Sequence, residues 1–99
     1  IAIPTVAHAG DGNLHPNFVI TPELRGDGDD FVPAAVWAAA DELFEAGMRL
    51  GGTLTGEHGV GVLKKRWLAN ELGESSLDLQ RRIKEVFDPR GLLNPGKVY

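Results

Sequence analysis

Two short apolar-rich runs, at about residues 3–9 and 14–20, bracket the polar, glycine-rich quartet Gly10-Asp11-Gly12-Asn13. Runs of that length bounded by turn residues read as strands, and Gly and Asn accept positive φ cheaply, so the pair predicts a β-hairpin. Thr21-Pro22 ends the second strand. Arg25-Gly-Asp-Gly-Asp-Asp30 is an acidic, glycine-rich connector; its Arg25-Gly26-Asp27 tripeptide is too short a match to carry an adhesion reading, and the run does not fit an EF-hand loop. Beyond it the pattern switches to helical spacing. Val36, Ala40, Leu43, Phe44, Gly47 and Leu50 fall on one face of a helix capped by Asp29 or Asp30, with Pro33 in its first turn and Gly51-Gly52 as its stop. A second helix carries Leu63, Trp67 and Leu72 inward and closes at Gly73. Ser75 and Asp78 suggest a capping box for a third, whose stripe is Leu79, Ile83, Val86 and Phe87 and which Asp88-Pro89 ends. The tail, Gly91 to Tyr99, reads as extended or turn-like. The predicted class is α+β, a hairpin followed by three helices (ββααα).

Composition changes this picture little. In 99 residues, 42% are hydrophobic and 24% charged, ordinary values for a globular domain. A formal net charge of -4 argues against a nucleic-acid partner, which needs a basic face. With no cysteine in the chain, a metal would have to be held by nitrogen and oxygen ligands. No apolar run is long enough for a transmembrane segment; a cytoplasmic location is expected, with peripheral docking of a full-length enzyme on a membrane as the alternative. The chain opens at Ile1, without an initiator Met and already strand-like, which predicts a fragment of a longer polypeptide.

The three histidines all lie beside glycine-rich segments rather than within apolar stripes. If the turn closes symmetrically, Ala9 faces Leu14 and His8 faces His15, with the two Cβ atoms roughly 5 Å apart on one sheet face. Asn17 shares that face. Two imidazoles so placed can grip one ion; they can equally be hydrogen-bonded surface side chains, and the hairpin alone leaves both roles open. Gly56-Glu57-His58-Gly59 adds a carboxylate and a third imidazole on a loop that a ligand can approach closely. Glu57 with His8 and His15 makes the His₂Glu set of catalytic metal sites, and His58 beside them is suited to take a proton. The bland alternative is Glu57 as a helix cap and His58 as a surface residue. Gly56 to Gly61 lacks the spacing of a phosphate-cradling loop. Lys64, Lys65 and Arg66 form either a solvated basic face or a steering patch for an anionic substrate.

Three blocks taken together carry a family resemblance: His8-Ala-Gly-Asp-Gly-Asn-Leu-His15, Gly51-Gly-Thr-Leu-Thr-Gly-Glu-His-Gly-Val-Gly61 and Asp88-Pro-Arg-Gly-Leu-Leu-Asn-Pro-Gly-Lys97. In this order they closely resemble the C-terminal domain of FAD-linked oxidases, the group of the glycolate oxidase flavoprotein subunit, D-lactate dehydrogenase and D-2-hydroxyglutarate dehydrogenase. The resemblance implies residues 1–99 are the C-terminal part of an antiparallel-sheet cap domain laid over a flavin. FAD would be bound mainly by the protein's own N-terminal domain of the vanillyl-alcohol-oxidase type, absent from this chain. It implies a divalent metal (Zn or Mn, or Fe) on His8, His15 and Glu57, and His58 as the base for the substrate hydroxyl. Asn17 would contact a small 2-hydroxy acid, with Asn94 and Lys97 near the flavin. Asn13 would either reach the cofactor side or shape the turn. An electron-transfer partner is a further implication. The family's carboxylate-binding arginine lies upstream of this sequence, so the fragment alone is expected to be inactive. A free-standing metal-binding module and a plain structural α+β domain are the other readings of the same residues.

Overall fold

The computed structural model describes residues 1–25 and 32–99. Among these the elements run β1 (Thr5–His8), β2 (Asn13–Pro16), α1 (Pro22–Arg25), α2 (Ala34–Arg49), α3 (Lys65–Leu72) and α4 (Glu74–Phe87). The expected hairpin and three long helices are present, with one short helix besides. Asp29 and Asp30, expected to cap α2, and most of the acidic connector lie outside the described residues. The chain divides into two compact units, Ile1–Leu43 and Phe44–Tyr99.

In the first unit β1 and β2 pair antiparallel, with Thr5 opposite Pro16, Val6 opposite His15, Ala7 opposite Leu14 and His8 opposite Asn13. The four-residue connection is therefore Ala9 to Gly12, one position earlier than the quartet read from the sequence. Asp11 N–H bonds back to His8 O at 3.2 Å, and Gly12 takes the positive φ (70°) that favours glycine. Main-chain bonds continue past the strand ends, Asn17 N–H to Pro4 O and Val19 N–H to Ala2 O, each at 3.0 Å. Because bonded and non-bonded pairs alternate in an antiparallel ladder, Pro16 opposite Thr5 falls at a non-bonded position, where a missing N–H costs nothing. Thr21-Pro22 not only ends the ribbon but opens α1: Thr21 Oγ1 accepts from Leu24 N–H at 3.3 Å, with proline at the first helical position. In α2, Val36 and Ala40 are buried, as the helical spacing predicts.

The second unit begins with the last turns of α2. Gly52 N–H reaches Gly47 O at 2.9 Å and Gly51 N–H reaches Met48 O at 3.0 Å, with Gly51 at φ 85°. This is a Schellman stop, and it satisfies carbonyls that the helix end leaves open. Leu50, placed on the apolar face by spacing, lies beyond the last helical turn and is exposed. The core consists of Leu54, Trp67, Leu68 and Leu77, all buried, with the Phe44 and Trp67 rings tilted against each other at a centroid distance of 4.3 Å. Leu63, expected inward, precedes α3 and is exposed; Leu68 takes the buried position instead.

A single residue joins α3 to α4. Gly73, at φ 75°, closes the first helix by donating to Ala69 O and stands as N-cap of the second. The Ser75–Asp78 capping box does not form. The helix starts at Glu74, so Ser75 is already inside the first turn, and no side-chain cap bond is made. The predicted stripe of α4 is likewise not the packed face: Leu77 is buried, whereas Leu79, Ile83, Val86 and Phe87 are exposed.

Candidate functional site

Alternation along paired strands decides which hairpin side chains can cooperate. Directly opposed residues share a face, so Pro4, Val6 and His8 lie with Asn13, His15 and Asn17 on one side of the ribbon, and Ala7 and Leu14 lie on the other. The sequence reading had His8 directly opposite His15. The observed pairing is offset from that by two residues, and a two-residue offset preserves faces because the side-chain period is two. The histidines are thus diagonal neighbours, a separation that ring side chains bridge. Their ring centroids stand 5.1 Å apart with the planes at 86°. Two imidazoles that share one ion through N–metal bonds of ~2.1 Å, at angles between square and tetrahedral, put their centroids roughly 5 Å apart. The pair therefore fits a divalent cation. His8 is exposed and His15 half-buried, so one side of the pair faces solvent while the other is held by the sheet.

Asn17 is set by its own backbone surroundings. Its Nδ2 donates to His15 O at 2.9 Å and to Pro4 O at 3.4 Å. Those bonds hold the carboxamide beside the second histidine and leave Oδ1 as the atom that can accept from a ligand. Asn13 opens β2 opposite His8, on the same face as the pair.

Glu57 and His58 belong to the second unit, both exposed, on the loop between α2 and α3. That loop is anchored from within. Leu54 is buried; its N–H donates to Glu71 Oε2 at 3.4 Å and its carbonyl accepts from Lys64 Nζ at 2.9 Å. Thr53 Oγ1 adds a hydrogen bond to the same Glu71 carboxylate. On the other flank Gly59 and Gly61 adopt positive φ of 73° and 56°, which explains why this stretch carries glycine rather than helix formers. Among the described residues, Thr55 Oγ1 is a buried side-chain oxygen with no hydrogen-bond partner, two positions before Glu57. A buried hydroxyl left unpaired costs about 1–3 kcal/mol.

Two of the three basic residues at the start of α3, Lys64 and Lys65, make structural contacts. Lys64 lies 5.8 Å from the centroid of the Phe44 ring, and burial pushes its ammonium below the ordinary lysine pKa. Lys65 Nζ donates to Gly96 O at 3.2 Å and to Tyr99 O at 2.8 Å. Both lysines thus clamp backbone carbonyls.

The third block folds back on the second. Val98 N–H donates to Gly61 O at 2.9 Å, and Tyr99 OH donates to Gln80 Oε1 at 2.7 Å. Asn94 and Lys97 sit on an exposed turn, with Lys97 Nζ donating to Asn94 Oδ1 at 3.3 Å. The hub of this turn is Asp88. Its carboxylate accepts from Lys84 Nζ at 2.6 Å and from the Leu92 and Leu93 N–H groups at 2.9 Å each. The lysine, then the two amides, hold its pKa down from 3.8 to about 2. Sequence reasoning did not single out Leu54, Glu71 or Asp88 as anchors. The one available signal was an Asx residue just before Pro89 at a helix end, which commonly organises a turn.

The candidate residues therefore fall into two groups. His8, Asn13, His15 and Asn17 share a ribbon face in the first unit. In the second, Glu57 and His58 lie on one loop, with Asn94 and Lys97 on a turn tied to the far end of that loop at Gly61.

Comparison with known proteins covers nearly the whole chain. Residues 1–98 match the family described as FAD linked oxidases, C-terminal domain. Over 99 residues the chain is 44% identical to glycolate oxidase subunit GlcD of Bacillus subtilis, covering 100% of this chain and 20% of that protein. It is 41% identical over 95 residues to the mitochondrial D-lactate dehydrogenase (cytochrome) 1 of Saccharomyces cerevisiae, covering 95% of this chain and 15% of the relative. Against a D-2-hydroxyglutarate dehydrogenase of Xanthomonas citri pv. viticola identity is 42% over 92 residues, covering 93% and 19%. The chain thus spans a fifth or less of the length of these relatives. No helix among the described residues is long and apolar enough to cross a membrane. By the match along nearly its whole length, this chain belongs to the FAD-linked oxidase C-terminal domain family.

Proposed function

We propose that the chain is the catalytic cap of an FAD- and divalent-metal-dependent 2-hydroxyacid dehydrogenase of the glycolate, D-lactate or D-2-hydroxyglutarate type, acting in the cytoplasm. The observation that carries the proposal is the adjacent, near-perpendicular pair His8 and His15 on one ribbon face, in a chain of this family. In this reading His8 and His15, with Glu57 as the third ligand, hold Zn, Mn or Fe, a choice that nitrogen and oxygen donors leave open. The chemistry the bound groups supply is Lewis acidity toward a chelated α-hydroxy carboxylate, from the ion, and hydride acceptance, from the flavin.

The chain's own residues do the rest. Asn17, its amide nitrogen held to the His15 carbonyl, contacts the substrate. An imidazole nitrogen of His58 accepts the hydroxyl proton, a role that suits imidazole because its ordinary pKa of about 6.5 lets it gain and lose protons near neutrality. Loss of that proton and of the α-hydride leaves a 2-oxo acid. In the same reading Asn94 and Lys97 would serve the cofactor, Asn13 would reach the cofactor side or shape its own turn, and an electron-transfer protein would be a further partner.

Titration calorimetry with Zn²⁺ and with Mn²⁺ tests the metal set. His8→Ala should weaken binding at least tenfold, and an unchanged affinity defeats the proposal. In the complete flavoenzyme His58→Ala should lower kcat by about 10²-fold or more while KM changes little; an unaltered kcat removes His58 from the base role.

A further inference from the structure

One residue ties both stems of the loop that carries Glu57 and His58. Lys64 Nζ donates to Leu54 O at 2.9 Å on the entering side, and Lys64 N–H donates to Val60 O at 3.2 Å on the leaving side. The entering stem is gripped a second time, because the Glu71 carboxylate accepts from Leu54 N–H at 3.4 Å and from the Thr53 hydroxyl. Leu54 is thus held at its N–H by an anion and at its carbonyl by a cation. Both come from α3, Lys64 as its N-cap residue and Glu71 from its last turn. The Leu54 side chain is buried and Thr55 Oγ1 is enclosed, so the chain is fixed as far as residue 55. Between there and Val60 lie residues 56–59, all exposed, with Glu57 and His58 at their centre.

Core packing alone does not call for a lysine at this position. Half-burying an ammonium carries a desolvation penalty, seen in the lowered Lys64 pKa, and an apolar side chain would lie against the Phe44 ring without it. What the ammonium adds is a donor on the Leu54 carbonyl. A short loop closed between two fixed points has few conformations left. A carboxylate presented from few conformations loses little entropy when it takes up a ligand.

We infer that Lys64 is a positioning residue for Glu57: by tying Leu54 O and Val60 O across the loop, it sets the carboxylate for divalent-cation binding. Lys64 acts through the main chain and is not itself a ligand. The inference rests on the reading of Glu57 as the third ligand beside His8 and His15.

Zn²⁺ titration calorimetry on the chain tests it as a double-mutant cycle. Lys64→Met keeps an unbranched stem against Phe44 and removes the donor, with circular dichroism confirming the fold of each variant. Zn²⁺ affinity should fall about tenfold, the lower end of the loss expected when a residue that orients a metal ligand is removed. In a Glu57→Ala background, where His8 and His15 remain, the same change should alter affinity by less than about twofold. Glu71→Gln gives a second cycle on the same stem, with the same dependence on Glu57 expected, and it decides the matter should Lys64→Met not fold. A loss of equal size with and without Glu57 makes these residues structural only and overturns the inference; so does undiminished affinity in the folded variants. Failure of the underlying reading looks different, since Glu57→Ala and His8→Ala would then bind Zn²⁺ as wild type does.

Discussion

Leu54, which spacing assigns to no apolar stripe, is buried, whereas Leu63, expected inward, is exposed, and the contrast can be measured. Leu54 sits in a glycine-rich loop yet is only 2% exposed, whereas Leu63, at helical spacing with Trp67, is 56% exposed. Replacing Leu54 by Ala removes three carbons from a packed site. At ~0.8 kcal/mol per buried methylene the transfer part is about 2.4 kcal/mol, and incomplete collapse of the cavity brings the expected loss to about 3 kcal/mol, inside the usual span for Leu→Ala. The Leu54 backbone bonds to Glu71 and Lys64 use main-chain atoms and survive the substitution. For a chain of this size that loss lowers Tm by more than about 10 °C. Leu63→Ala should stay within about 0.5 kcal/mol, as surface changes do. The assay is urea unfolding followed by Trp67 fluorescence in a Trp37→Phe background, which confines the signal to the unit containing the mutation. Two equal midpoints, or a larger loss for Leu63→Ala, would refute the assignment of Leu54 to the core.

Three further outcomes follow from the same contacts. Asp88→Asn should lower the urea midpoint at neutral pH. A carboxyl whose pKa falls on folding from 3.8 to about 2 stabilises fully above the unfolded value and loses that contribution as pH drops through the folded one. The gap between wild type and variant should therefore be constant above about pH 5 and shrink toward pH 2; a gap that persists at pH 2 would show that Asp88 acts through packing alone. Gly51→Ala has open space for its methyl group but must hold φ 85°, which costs about 1–2 kcal/mol for an L-residue; a neutral result in thermal melts would contradict the Schellman stop. Lys65→Met should loosen the tail without unfolding α3, read as faster hydrogen exchange at the Val98 amide, whose bond to Gly61 O depends on the tail staying docked.

How far each region could be read beforehand depends on whether its rule is local. The Gly51-Gly52 stop, the Gly73 break and the Asp88-Pro89 end were all legible, because backbone conformation at a glycine or proline is set within a few residues. The hairpin was legible too, and the shared face of His8 and His15 survived a misplaced turn, since strand alternation is insensitive to a two-residue offset. Cap and core assignments fared worse. The α4 stripe has a helical period on the side away from Leu77, and periodicity reports that a face is apolar, not what meets it.

By itself, the order of residues determined the α+β class, the helix stops and the family, each of which depends on short-range stereochemistry or on motifs whose spacing is visible in one dimension. Tertiary structure alone decided that Leu54 rather than Leu63 is buried, that Lys64 and Lys65 clamp carbonyls, and that Asp88 organises the turn bearing Asn94 and Lys97. Those outcomes come from contacts between segments up to 34 positions apart, where many pairings satisfy the same local preferences and only the packed arrangement selects one.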